Sequence, residues 1–319
     1  IPAEQAGDYK DQGYRGDEWV GVSGLESWAE STLAGRPGAP LRVVTADGRT
    51  HRSLVNRQLT VSRPIYTTFQ RDFQMQVEEI LGDRTGAIVV LEANSGEVLA
   101  MASGPDFDPN AFIVPNAKID RAAILSDSRR PLVNRVTQGT YPLGSVFKIV
   151  TMATALEAGD YTPNSLYTCT GIWSELGPEA VKKDWLEGGH GTLTLVQGLE
   201  RSCDPYFYHL GLELANVGFD ALPEYARGFG LGTPTGIEGV PEDSGLVPDP
   251  AWKLENRGEV WTSGDSVNLA IGQGFLTVTP LQVAQYTAAV ANGGTLYQPY
   301  VIDRIGAAPD GSAPEEVTK

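Results

Sequence analysis

Cysteine is scarce in this chain of 319 residues: there are two, Cys169 and Cys203. Two cannot form a disulfide framework, so buried apolar surface must hold the fold. Basic residues are also few. Lys and Arg number 24 against 40 Asp and Glu, a formal charge of −16. An acidic surface repels phosphate backbones, which argues against nucleic acid as a partner. No run is long and apolar enough to cross a bilayer, and no secretory signal is visible. Internal repeats and low-complexity tracts are absent too.

What is present suits one large domain or two ordinary ones: 41% hydrophobic and 20% charged residues. Both ends read as interior sequence. Ile1 stands where a methionine would, and Lys319 follows a polar stretch with no closing element. The chain is therefore expected to be an internal piece of a longer protein.

Residues 1–56 read as part of a small first domain, and 57–319 as a second. In the first, Ser23 to Leu33 is an amphipathic helix, stopped near Gly35 to Gly38. Asp47-Gly48, flanked by Leu41 to Val44 and Arg49 to Arg52, signals a hairpin. The change comes at Gln58 to Val61. A helix over Pro64 to Leu81 would bury Ile65, Phe69, Phe73, Val77 and Ile80. Gly86 to Leu91 and Glu97 to Ala102 read as strands around an Asn94-Ser95-Gly96 turn. Pro105 to Arg135 reads as loop and Ser145 to Ala158 as helix. Thr192 to Leu214 is expected to be largely helical, with a break at Ser202 to Pro205. Gly230 to Arg257 reads as turn-rich. Pro280 to Ala291 is a helix stopped by Asn292-Gly293-Gly294. Thr295 to Ile305 reads as extended. Strands at one end and helices in the middle suggest α+β.

Ser145-Val146-Phe147-Lys148 is a Ser-x-x-Lys at a helix start. Residues three apart share a helix face, so the lysine can reach the hydroxyl. Serine is a weak nucleophile that needs a base, and a buried lysine can lose its proton to become one. The helix N-terminus favours the negative charge that develops there. The bland alternative is a serine ahead of a solvated lysine. Ser202-Cys203-Asp204 follows at a helix break; its hydroxyl could relay a proton from Lys148, or it could be only a kink with a local cap. His51 reads as a surface residue and His209 as a packed one.

In combination these motifs resemble the penicillin-binding transpeptidases. Tyr141 to Lys148 is similar to their nucleophile motif, and Ser202-Cys203-Asp204 to their second motif. Gly86 to Leu91, Gly96 to Ser103 and Phe107 to Asn110 resemble their opening strands. Asn268 to Gly274, Thr279 to Gln282 and Ala291 to Gly294 resemble their later core. Tyr14-Arg15-Gly16 with Ser23 to Glu26 resembles the non-catalytic pedestal of the class B members. Asp184 to His190, Pro248 to Trp252 and Gly264-Asp265 point to the elongation type. The resemblance spans roughly residues 14–305.

It implies a penicillin-binding, serine β-lactamase-like fold: an antiparallel sheet flanked by helices with an all-helical subdomain, after part of a dimerisation-type pedestal. It implies cross-linking of peptidoglycan stem peptides in cell-wall elongation, and covalent capture of β-lactams. Ser145 would attack a D-alanine carbonyl and Lys148 would take its proton. Ser202, with Asp204 holding the network, would protonate the departing D-alanine. A membrane glycosyltransferase is the implied partner, and the cell membrane, with an extracytoplasmic catalytic domain, the implied location. A D,D-carboxypeptidase or β-lactamase, and a non-enzymatic β-lactam sensor or scaffold, are the alternatives. The family's third motif, Lys-Thr-Gly or Lys-Ser-Gly, is absent from these residues and is expected downstream of Lys319.

Cys169, Asp184, His190 and Cys203 are all of zinc-ligand type, and four is the tetrahedral number. Their spacing matches no compact finger. Some elongation-type relatives carry a metal in this region, which implies one structural zinc bracing the second motif. A Cys169–Cys203 disulfide, or two buried thiols with a core histidine, stand as alternatives.

Overall fold

The structure, a computed structural model, describes residues 6–14, 16–35, 38–47, 49–57, 60–113, 120–307 and 315–316. Arg15, Arg36, Pro37, Gly48, Gln58 and Leu59, which enter the motif and boundary readings above, lie outside the described residues.

The N-terminal part holds α1 (Ala6–Asp11), α2 (Gly24–Leu33) and an antiparallel pair, β1 (Ala39–Val44) with β2 (Thr50–Arg57). It joins β3 (Ile65–Thr67) and α3 (Arg71–Leu81). The helix expected from Pro64 therefore begins later. Ile65-Tyr66-Thr67 favours a pleated strand, and it finds a partner far along the chain in β10.

The α3 seam also differs from its pattern by one position. Val77 and Leu81 are buried, and Phe73 packs beside them, whereas Ile80 is exposed. Positions four apart stack on one face, and the 73–77–81 line wins over 80.

Next come β4 (Gly86–Leu91) and β5 (Val98–Gly104), paired antiparallel with Val89 opposite Met101. Alternation gives the pair two apolar faces. Ile88, Val90, Ala100 and Ala102 meet α3, while Ala87, Val89, Leu91 and Met101 join a second cluster with Leu281 and Val301. The stretch read as loop contains two short helices, α4 (Asn110–Ile113) and α5 (Arg121–Ser126), the latter capped by the Asp120 carboxylate.

A 3₁₀ turn over Gly144–Phe147 leads into α6 (Lys148–Glu157). This helix is central. Lys148, Val150, Thr151, Thr154 and Ala155 are fully buried in it. Four short strands follow: β6 (Leu166–Cys169), β7 (Ile172–Trp173), β8 (Lys182–Lys183) and β9 (Gly191–Thr194), with β6 paired to β9 and β7 to β8. Then come α7 (Leu195–Glu200), α8 (Asp204–Val217) and α9 (Ala221–Gly228). The expected helix from Thr192 starts at Leu195, where Thr194 and Gln197 form a reciprocal capping box.

The region read as turn-rich ends in a helix, α10 (Pro250–Arg257), capped by Asp249 and stopped by Gly258 in the left-handed region. The remaining elements are α11 (Ser263–Leu269), α12 (Pro280–Ala291), β10 (Ile302–Ile305) and β11 (Glu315–Glu316). Helix α12 has its expected bounds. Its buried face is Leu281, Tyr286 and Ala289, while Val290 is exposed. Helices α8 and α11 approach closely at Gly211, where a Cβ would lie 2.7 Å from the Ala270 methyl. No helix among the described residues is long and apolar enough to cross a membrane.

Candidate active site

Ser145 sits in the 3₁₀ turn that opens α6 and is exposed. Its turn is held from two sides. The Gly144 amide donates to the Gly272 carbonyl at 2.9 Å, and the Tyr286 hydroxyl donates to the Val146 carbonyl at 3.1 Å. Gly272 is required there. Its φ is +71°, and a Cβ would stand 2.2 Å from the Gly144 carbonyl oxygen. Composition and spacing gave no sign of that role for Gly272. It entered the sequence reading only within the Asn268 to Gly274 resemblance.

Lys148 is the first residue of α6 and its side chain is wholly buried. Its Nζ donates to the Ser202 carbonyl at 2.9 Å, the Ser202 hydroxyl at 3.0 Å and the Asp204 carboxylate at 2.5 Å. The Ser145 hydroxyl is not among these acceptors. The ammonium also lies 5.4 Å from the centre of the Phe207 ring. A buried cation is tolerable only with such partners: a carboxylate, two oxygens and an aromatic face.

The second motif forms the hinge between α7 and α8. Ser202 has φ +52°, the left-handed region that costs a residue with a Cβ about 1 kcal/mol. Its amide donates to Leu199 O and the Cys203 amide to Gly198 O, which together turn the chain. Gly198 lets Tyr206 close over the hinge, since a Cβ there would be 2.6 Å from the ring. Asp204 then opens α8, with Pro205 in its first turn. One turn on, the Tyr208 hydroxyl is pushed up to about 12 by burial and then by the Asp204 charge.

A lysine outside the motifs flanks this hinge. Lys182 Nζ donates to Asn268 Oδ1 at 2.8 Å and lies 5.3 Å from the Tyr208 ring centre. His209, expected to be packed, bridges Glu175 and Tyr161 at 2.8 and 3.0 Å and stacks on Tyr167.

Three of the four expected metal ligands cluster, and the fourth, His190, meets the carboxylate among them. One ligand atom each from Cys169, Asp184 and Cys203 lie within 4.8 Å of one another. Cys169 Sγ lies 3.1 Å from Asp184 Oδ2. His190 Nε2 is 3.3 Å from the same oxygen, yet it is buried and makes no hydrogen bond. Both cysteines are free, so this structure does not contain the alternative disulfide. Glycines bring the loop in: a Cβ on Gly189 would stand 2.2 Å from the Gly171 amide nitrogen. Burial pushes the Cys203 thiol up, and the adjoining Cys169 thiol adds to the rise. An orphaned imidazole nitrogen beside a carboxylate that itself adjoins two thiols supplies the donor types of a tetrahedral zinc.

Comparison with known proteins shows the family. Residues 86–319 match the penicillin binding protein transpeptidase domain, and residues 1–67 match the penicillin-binding protein dimerisation domain. The chain is 35% identical to the peptidoglycan D,D-transpeptidase MrdA of Escherichia coli K12 over 295 residues, 92% of this chain and 46% of that protein. It thus spans about half the length of the curated relatives it matches. Pseudomonas aeruginosa PBP2 in complex with WCK 5153 superposes with a TM-score of 0.84 at 31% identity, over 100% of this chain and 66% of that one. PBP2 of Helicobacter pylori, in complex with MreC, gives 0.81 at 27% identity, over 99% and 57%.

Proposed function

The chain belongs to the penicillin-binding protein transpeptidase family, and from that premise we propose that it forms part of an elongation-type D,D-transpeptidase that cross-links peptidoglycan stem peptides through an acyl-serine. The observation that carries the reading is the meeting of Lys148, Ser202 and Asp204 beneath the exposed Ser145 turn.

Ser145 Oγ attacks the penultimate D-alanine carbonyl of a stem peptide. Its amide sits in the opening turn of α6, where an N–H can face the developing oxyanion. Lys148 first gives a proton to the Asp204 carboxylate it already touches, and as a neutral amine then accepts the hydroxyl proton. That contact must form as substrate docks, because in the free enzyme the lysine is turned to Ser202 and Asp204; catalytic hydrogen bonds commonly tighten only in the complex. Ser202 Oγ bridges Lys148 to the cleft and delivers a proton to the departing D-alanine amine. Asp204 balances the buried ammonium and holds Lys148 in reach of both serines. The amine of a second stem peptide then takes the acyl group. A β-lactam enters the same path and stops at the acyl-serine. The dimerisation-domain match favours this reading over a compact β-lactamase.

The clamp for the substrate carboxylate is not assigned to any of these 319 residues. The location is extracytoplasmic, where stem peptides are, and the partners are other parts of the cell-wall machinery. The complexed H. pylori relative supports that class of partner.

Cys169, Asp184, His190 and Cys203 would hold one zinc. Bound there, zinc supplies a cross-link between the end of β6, the 184–190 loop and the residue between Ser202 and Asp204. Cobalt substitution tests this, since a tetrahedral thiolate site gives strong visible bands.

Intact-mass spectrometry of the whole protein after penicillin exposure tests the main reading. One adduct is expected, and none on Ser145→Ala. A folded protein that takes no adduct would refute it.

A further inference from the structure

The metal cluster holds a property that a site with a single cysteine lacks. Cys169 and Cys203 are both buried, both free, and their sulfur atoms lie within 4.8 Å. A disulfide needs the sulfurs at about 2 Å, so the two side chains must swing towards each other to close it. They sit on different elements: Cys169 ends β6, and Cys203 caps α8. The outer wall of the cluster is the 184–190 loop, whose Trp185, Leu186, Glu187 and Gly188 are exposed. Only Asp184 and His190 turn inward, with side chains 0% and 3% exposed.

We propose that Cys169 and Cys203 are a thiol-modification site in which metal and disulfide are mutually exclusive states. With zinc, both sulfurs serve as ligands and neither can attack. Without it, both thiols are free to react, although they are buried, and opening of the exposed 184–190 loop admits a disulfide reagent, either a small-molecule disulfide or the disulfide of a dithiol oxidase. The first cysteine sulfur attacks the reagent; one sulfur–sulfur bond forms on the protein and one thiol leaves. The second cysteine sulfur displaces the second thiol, and the Cys169–Cys203 bond closes. Two electrons pass to the reagent, and the two protein protons end on the two released thiols.

The consequence falls on the second motif. Cys203 lies between Ser202, which accepts from Lys148 at its carbonyl and hydroxyl, and Asp204, which accepts from it at its carboxylate. A sulfur drawn towards β6 pulls on that turn. Metal loss in an oxidising compartment is thereby recorded as a covalent lock next to the lysine.

This rests on the zinc reading given above. The test uses the whole protein, stripped of metal by a chelator under reducing conditions, with half then reloaded with zinc. Both halves meet oxidised glutathione. Intact mass, alkylation of thiols after unfolding and peptide mapping follow the cysteines, and elemental analysis follows the metal. The stripped half should lose both alkylation sites and link the Cys169 and Cys203 peptides. The zinc half should do so about tenfold more slowly or not at all. Cys169→Ser should give no cross-link. Zinc uptake with no cross-link in the stripped half overturns this inference and leaves the zinc reading standing. Equal rates in both halves, with zinc bound, overturn it too. If no zinc is taken up, the zinc reading fails, and the exclusive-state inference fails with it.

Discussion

Lys148 Nζ grips Ser202 twice, at its carbonyl oxygen 2.9 Å away and at its hydroxyl 3.0 Å away. Lys148 opens α6 and Ser202 lies in the turn between α7 and α8, in the left-handed region. The lysine therefore holds a strained turn, and it places the hydroxyl to which the proposed mechanism gives the proton relay.

Removing the lysine should cost both stability and reactivity. Lys148→Met keeps most of the packing against Phe207 but leaves the Asp204 carboxylate without its cation. We expect a loss of about 3 kcal/mol in chemical denaturation. Penicillin acylation, followed by intact mass, should slow by about 10²–10⁴-fold. Adding Asp204→Asn should restore much of the stability and none of the acylation. Recovery of both would show that the lysine is structural.

Ser202 separates strain from chemistry. Ser202→Gly accepts the +52° φ without a Cβ penalty, whereas Ser202→Ala keeps the penalty. Both lose the hydroxyl. The glycine variant should melt higher than the alanine variant, by the equivalent of about 1 kcal/mol. Both should release D-alanine from a model peptide equally slowly. Unequal release at equal stability would remove the relay role.

Lys253 on α10 and Asp265 on α11 form a largely buried pair, with contacts of 3.0 and 2.9 Å. Hydrogen bonding to Asp265 raises the Lys253 ammonium above the ordinary lysine value. Burial alone would raise the Asp265 carboxyl, but Lys253 and Thr262 outweigh it and hold the carboxyl below the ordinary aspartate value. The aspartate's contribution is thus present above about pH 3.9 and lost as pH falls through its lowered folded value. The lysine's is present below about pH 10.4 and lost as pH rises through its raised one. Asp265→Asn should therefore be destabilised at pH 7. Its gap from the wild type should narrow steadily below about pH 4 in urea titrations. A gap independent of pH would mean that the pair contributes packing alone.

His190 gives opposite signs with and without metal. Its buried Nε2 makes no hydrogen bond, a standing cost in the metal-free protein. His190→Leu should leave the metal-free melting temperature unchanged or higher. In zinc at about 100 times Kd the wild type should gain about 2.7 kcal/mol, and the variant should gain far less. Equal gains in both would exclude His190 as a ligand.

Much of this was legible in the residues. Ser145 and Lys148 are close in sequence, so their joint place at the head of α6 follows from local helix geometry. Thr279-Pro280 and Asn292-Gly293 bracket α12 by capping alone. The same signals stood around α10, in Asp249-Pro250 and Gly258, but were lost among the glycines and prolines that precede them. What the sequence could not decide are choices between competing partners. Ile65 to Thr67 became a strand because β10 offered a ladder, and Leu81 displaced Ile80 because the sheet lies on that side of α3. Lys148 turned to Asp204 because a buried ammonium takes the strongest acceptor within reach. Cys169, Asp184, His190 and Cys203 are scattered over 35 residues, and only the β6–β9 pairing and the close glycine contact at 171 and 189 bring them together. Local rules set the elements. Burial, which acts on residues distant in sequence, set which side chains meet.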